Sequence, residues 1–259
     1  MKKMILTAHA ALMVSTALLA ANQVLIVPDE FPAMEHVASK LQSEEKISSQ
    51  LVWQTNLPPD LSVYSAVLVY IHRGLDEKAE KAFIEYTQAG GKLIVLHHSI
   101  SSGKRKNKDW FKFLGVTLPE ADVDAGGYKW IEGVTQQIVN LAPDHFITTH
   151  KVAYPEQIAF KAAGETQERT LPGVTLNESE VYINHVLADD KTRTRLLGFK
   201  YTDKSSGKTY MQTQSGWVKP SGKGWIVYLQ PGHSLHDLKD PVYERILLNA
   251  VIWKPQNNL

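Results

Sequence analysis

The chain has 259 residues, 43% apolar and 21% charged, with a formal net charge of +1 and no cysteine. These are ordinary globular proportions that suit one α/β domain, and two full domains would be crowded. Lys and Arg are scattered among acids, which argues against nucleic acid as a partner, and the missing cysteine excludes disulfides, thiolate metal ligands and a cysteine nucleophile.

Met1-Lys2-Lys3 and the apolar run Met4 to Ala21 have the charged start, greasy middle and small-residue end of a secretory signal. Residues 1–21 are therefore expected to be removed, with cleavage near Ala20 or Ala21, leaving a secreted or periplasmic protein of residues 22–259. Thr7, His9, Ser15 and Thr16 interrupt the run, so it makes a poor bilayer span, and no stable membrane span is expected after processing.

Gln23 to Val27 reads as a strand stopped by Pro28-Asp29, and Met34, Val37, Ala38 and Leu41 recur at helical spacing. Ser49 to Trp53 is a weaker strand. Ala66 to Ile71 and Lys92 to Leu96 are continuous apolar runs of the kind buried on both faces of a parallel sheet. Between them Asp76 can cap a helix carrying Ala79, Ala82, Phe83 and Tyr86 on one side and ending at Gly90-Gly91. Strands alternating with helices in this way imply an α/β fold with a doubly wound, mostly parallel sheet.

After His97 the rhythm changes. Trp110 to Leu114 reads as a short helical turn, and from about 122 to 216 short alternating segments such as Gln137–Val139, Val181–Ile183 and Arg195–Phe199 suggest antiparallel strands inserted into the α/β frame. Lys204 to Lys208 reads as a hairpin turn, and Gly222-Lys223-Gly224 as a tight turn rather than a phosphate loop, because a strand and not a helix follows. Trp225 to Leu229 restores the buried-strand pattern, and Pro241 to Trp253 supplies a closing helix.

Ligands of open α/β sheets bind beyond the carboxyl ends of the strands. There the sequence places His72-Arg73, His97-His98-Ser99 and, after the flexible Pro231-Gly232, His233. Consecutive strand residues point to opposite sides, so one of His97 and His98 is expected to face the crevice, and the sequence does not rank them. Glu180 and Tyr182 share a strand face, where a carboxylate beside a phenol could serve as base and hydrogen-bond donor or accept sugar hydroxyls. The candidate catalytic set is thus His97, His98, Glu180 and His233, with Tyr182, His72, Ser99 and His145 as candidate substrate contacts. Leu96-His97-His98-Ser99-Ile100 lacks the G-x-S-x-G elbow of a serine nucleophile. No metal-helix spacing is present, but His and carboxylate from separate strands could hold a divalent metal.

Five stretches taken in order resemble the ThuA-like (trehalose utilisation) family: Gly90 through His98, Trp110 with Leu114-Gly115, Asp144 to Ile147, Glu178 to Tyr182, and Gly222 through His233 to Trp253. The resemblance implies a flavodoxin-like sheet akin to class I glutamine amidotransferases and a role in carbohydrate metabolism, with keto-sugars among the candidate ligands. Amidotransferase relatives carry a cysteine where this chain has His97 and His98, so glutaminase chemistry is ruled out. Ser179 stands where the family pattern leads one to expect an aspartate. An enzyme acting on a sugar or glycoside is the leading expectation. A carbohydrate-binding module, with Tyr128, Trp130 or Trp217 stacking on the sugar, and an envelope scaffold are the alternatives, and the oligomeric state is left open.

Overall fold

A computed structural model describes residues 23–188 and 191–255; the expected signal segment lies outside them. The first half alternates β1 (Gln23–Pro28), α1 (Phe31–Glu45), β2 (Ser48–Leu51), β3 (Ala66–Tyr70), α2 (Glu77–Gln88) and β4 (Lys92–Leu96). The local signals explain these bounds. Pro32 sits in the first turn of α1 and Lys46 ends it in the left-handed conformation, while the Asp76 carboxylate caps α2 by accepting from the Lys78 and Ala79 amides. A short helix α3 (Lys108–Leu114) follows, then β5 (Val116–Thr117).

The expected short antiparallel segments are parts of longer strands: β6 (Lys129–Asn140), β7 (Glu156–Phe160), β8 (Arg169–Ile183), β10 (Thr194–Thr202) and β11 (Thr209–Ser221), with a one-turn helix α4 (Phe146–Thr149) and the small β9 (Val186–Leu187) between them. The chain then closes with β12 (Gly224–Leu229), one-turn α5 (Leu235–Leu238) and α6 (Pro241–Ile252).

All strands except β5 and β9 join one ten-stranded sheet in the order β2-β1-β3-β4-β12-β11-β10-β6-β8-β7. The first five of these strands run parallel to one another, and every pairing from β12–β11 onward is antiparallel. The inserted strands therefore extend the same sheet instead of building a separate one. Alternation along β4 shows that both faces are covered. Ile94 and Leu96 pack in a cluster with Met34 and Leu41 of α1 and Ile246 of α6, whereas Leu93 and Val95 pack with Phe83 of α2 and Trp110 of α3. Burial on both faces is why these strands are uniformly apolar.

Candidate functional site

The loops after β3, β4 and β12 emerge at one end of the parallel strands, the end where α/β crevices form. At this end β4 stops abruptly. Leu96 is extended, His97 adopts a φ of +39°, and residues His97–Ile100 wind into a 3-10 turn. A positive φ is uncommon for a residue with a Cβ and is found where surrounding contacts impose it, often at functional sites. The turn also cancels strand alternation: both rings lie in the site, their centroids 4.2 Å apart, which corrects the expectation that one of them would face it.

Glu180 arrives from β8. Strand alternation puts it on the same face as Tyr182, and both side chains are buried. Around its Oε2 stand His97 Nε2 at 2.6 Å, His233 Nδ1 at 2.9 Å, the donating Tyr182 hydroxyl at 3.2 Å and His98 Nε2 at 3.5 Å. The phenol thus holds the carboxylate, while its ring lies stacked 4.7 Å from that of His97.

His233 is placed by a turn pinned on three sides. Gly232 has a φ of +111°, a conformation glycine permits. The buried Asp237 carboxylate accepts from the Gly232 and His233 amides at 3.1 and 3.0 Å and from the Ser179 hydroxyl at 2.7 Å. The Tyr70 hydroxyl donates to the Gly232 and His233 carbonyls, and that of Tyr243 to the Pro231 carbonyl. Ser179, which stands where an aspartate was expected, therefore links β8 to this turn, alongside the Glu180–His233 contact. Asp237 and Tyr70 carry no sequence signal of their role, since each is defined by a contact with a remote turn.

The electrostatics favour a cation among these groups. Burial alone would raise the Glu180 carboxyl, but hydrogen bonds from His233 and His97 hold it at about 2, and the same carboxylate raises His233 above the usual imidazole value. Burial drives His98 far below its ordinary value, so its ring is neutral. Neither His98 nitrogen has a hydrogen-bond partner, a condition that costs about 1–3 kcal/mol per buried polar group unless something binds there. His97 Nδ1 donates to the Gln230 carbonyl, which leaves Nε2 aimed at Glu180. A ring nitrogen anchored on a backbone carbonyl while its partner points inward is the usual support of a metal-binding histidine. One ligand atom from each of His97, His98, Glu180 and His233 lies within 4.8 Å of the others, and three imidazoles with a carboxylate suit zinc or a similar divalent ion.

Other expected residues are distributed differently. His72 is exposed at the rim, stacked at 4.1 Å on His98 and 3.3 Å from Glu30. Ser99 is buried and spends its hydroxyl inside the fold, donating to Val69 and accepting from Ile71. His145 is not brought here: it caps α4 by accepting from the Ile147 amide and packs against Trp253, near Trp225 at the opposite, amino end of β12. Sequence reasoning passed over Lys104, whose buried ammonium ties the loops after β3 and β4 by donating to the His72 and His98 carbonyls at 2.7 and 2.6 Å. It also passed over Glu132, which pairs directly across from Glu180 and so shares its sheet face. The alternation Trp130, Glu132 beside Glu180, Tyr182 was a signal that could have found it.

His98 and His233 open onto a crevice of about 620 Å³ that is also lined by Phe31 and Trp53. A larger depression of about 1020 Å³ between α2 and α3 is lined by Glu77, Lys81, Lys108 and Lys112, and its buried Glu80 accepts hydrogen bonds from the Asn107 side chain and the Trp110 amide.

Among solved structures, the chain is similar to a ThuA-like protein from Bacteroides uniformis ATCC 8492, with 16% identity, a TM-score of 0.63 and coverage of 91% of this chain and 93% of that one. It is also similar to a cytoplasmic protein from Salmonella typhimurium LT2, at 13% identity, TM-score 0.53, and 88% and 98% coverage. A β-galactosidase from Bacillus circulans sp. alkalophilus matches over 89% of this chain but 30% of its own length, at 9% identity and TM-score 0.52. At these identities the likeness is one of fold. No curated protein matches the sequence. The protein-family model for ThuA, described as trehalose utilisation, matches residues 21–254, and the chain belongs to that family.

Proposed function

We propose that this chain is an exported, metal-dependent enzyme of carbohydrate metabolism, acting on a sugar, keto-sugar or glycoside in the crevice above β3, β4 and β12. The observation that carries the reading is the convergence of the buried His97, His98 and Glu180 with the half-buried His233 within 4.8 Å, neither His98 nitrogen being hydrogen-bonded. In this reading those four side chains hold a divalent metal, Tyr182 fixes the Glu180 carboxylate, and His72 meets the ligand at the rim. A metal so held supplies Lewis acidity toward a sugar carbonyl or hydroxyl. Family membership supports the carbohydrate role. The parallel strands, numbered by order along the chain, lie 2-1-3-4-5, which supports a flavodoxin-like, doubly wound frame interrupted by the strands between β4 and β12. Export rests on the Met1-Lys2-Lys3 start and the apolar run to Ala21, and no helix among the described residues is long and apolar enough to cross a membrane.

Elemental analysis of the untagged protein tests the metal, and incubation with keto-sugars and glycosides, with and without chelator, tests the chemistry. Expected are one equivalent of a divalent transition ion, its loss in His98→Ala and Glu180→Gln, and turnover abolished by chelator. Metal-free protein that takes up no added zinc or manganese, or turnover indifferent to chelator, overturns the metal reading. A sugar that raises the melting temperature yet is recovered unchanged would instead favour capture without chemistry.

A further inference from the structure

The crevice is lined by two unlike groups of residues. His98 and His233 belong to the buried cluster, and His72 with Glu30 forms a polar pair at the edge, 3.3 Å apart. The same crevice is lined by Phe31, at the start of α1, and Trp53, in the loop after β2, with ring centroids 4.8 Å apart. Trp53 is 48% exposed and lines the cleft, so its ring is open to a ligand held there. It lies outside the cluster, and its ring pairs with that of Phe31.

A pyranose is amphipathic: its hydroxyls lie around the edge, and its C–H groups form faces that stack on aromatic rings. A cleft of about 620 Å³ falls within the range of drug-sized sites and exceeds what one such ring fills. We infer that Trp53, backed by Phe31, is the subsite for a second ring, so that the ligand is a glycoside with one unit at the histidine cluster and the other stacked on Trp53. This deepens the carbohydrate reading above and rests on it. The Glu30–His72 pair at the edge supplies acceptor and donor groups for the hydroxyls between the two positions.

The test uses the metal-loaded full chain, titrated calorimetrically with methyl α- and β-glucopyranoside as one-ring probes and with trehalose, cellobiose and 4-nitrophenyl glucoside as two-ring probes. At least one two-ring probe is expected to bind tenfold or more tighter than the methyl glucosides. Trp53→Ala is expected to lower that affinity to the one-ring level while leaving methyl glucoside binding unchanged, and Trp53→Phe to restore most of it. Because Trp53 is exposed, the near-ultraviolet circular dichroism of the other aromatics serves as the check on folding. Two-ring binding unchanged in Trp53→Ala, or methyl glucosides binding as tightly as every two-ring probe, overturns the subsite and leaves the carbohydrate reading standing. No saturable binding of any probe to the wild type overturns the subsite, and if keto-sugars also fail to bind it overturns the carbohydrate reading as well.

Discussion

Removing the Asp237 carboxylate should loosen the His233 turn, and the structure sets the size of the effect. Its Oδ2 is the acceptor for two turn amides and for the Ser179 hydroxyl, in a fully buried setting. In Asp237→Ala those donors lose their partner, and since a buried donor left unmatched costs about 1–3 kcal/mol, a total of about 3 kcal/mol is expected even if one finds water. For a domain of this size that corresponds to a fall of about 6–12 °C in melting temperature. Asp237→Asn keeps an oxygen for the amides and loses the charge, so about half that cost is expected. Ser179→Ala removes a single bond and should cost about 1 kcal/mol. Urea denaturation of the three variants measures these values, and zinc titration measures the consequence: a misplaced His233 should weaken binding by about 10–100-fold in Asp237→Ala. Stability within 0.5 kcal/mol of wild type, taken here as about the spread of neutral surface changes, would show that the turn does not depend on this carboxylate.

Lys92 donates to the Val251 and Trp253 carbonyls at the end of α6, and burial, with Lys254 a second cause, lowers its ammonium to about 7. Between that value and the unfolded value of 10.5 the unfolded chain holds more protons, so the stability tied to this group rises with pH through the window and is lost as pH falls through about 7. The stability of wild type relative to Lys92→Met should accordingly increase between pH 7 and 10 in urea titrations, and a flat or falling difference would contradict it. Gly224→Ala would set a Cβ 2.2 Å from the Gly91 carbonyl oxygen and 2.3 Å from that of Thr87, both backbone atoms that cannot swing aside. A loss of about 3 kcal/mol is expected, read as a lower melting temperature. Trp110 is fully buried, packs on Phe83 and Phe113, and donates to the Ser99 carbonyl at 2.8 Å. Trp110→Ala should cost about 3–5 kcal/mol in chemical denaturation, and a loss below 1 kcal/mol would mean that α3 is not part of the core beneath the histidine turn.

Much of the frame was readable because its causes are local. A strand buried on both faces must be apolar throughout, so β1, β3, β4 and β12 stand out, and Asp76, Lys204 to Lys208 and Gly222 mark a cap and two turns through their own backbone preferences. The inserted strands were harder. Five of the 12 residues of β6 are exposed, so its apolar part alone showed as a short segment, while hydrogen bonding to β8 and β10 sets its true length.

The site divides in the same way. Residue type with strand-end position singled out His97, His98 and His233, and strand-face alternation with Tyr182 singled out Glu180, because chemistry and chain order are written residue by residue. Their meeting is not, since it joins segments 53 and 83 positions apart through the pairing of β8 to β6, β6 to β10 and so across to β4. The same holds for the positive φ that turns both rings inward, for Asp237 and Tyr70 beneath His233, and for His145 at the far end of the sheet. Each of these depends on which distant backbone lies alongside, and no property of a short stretch of chain encodes that.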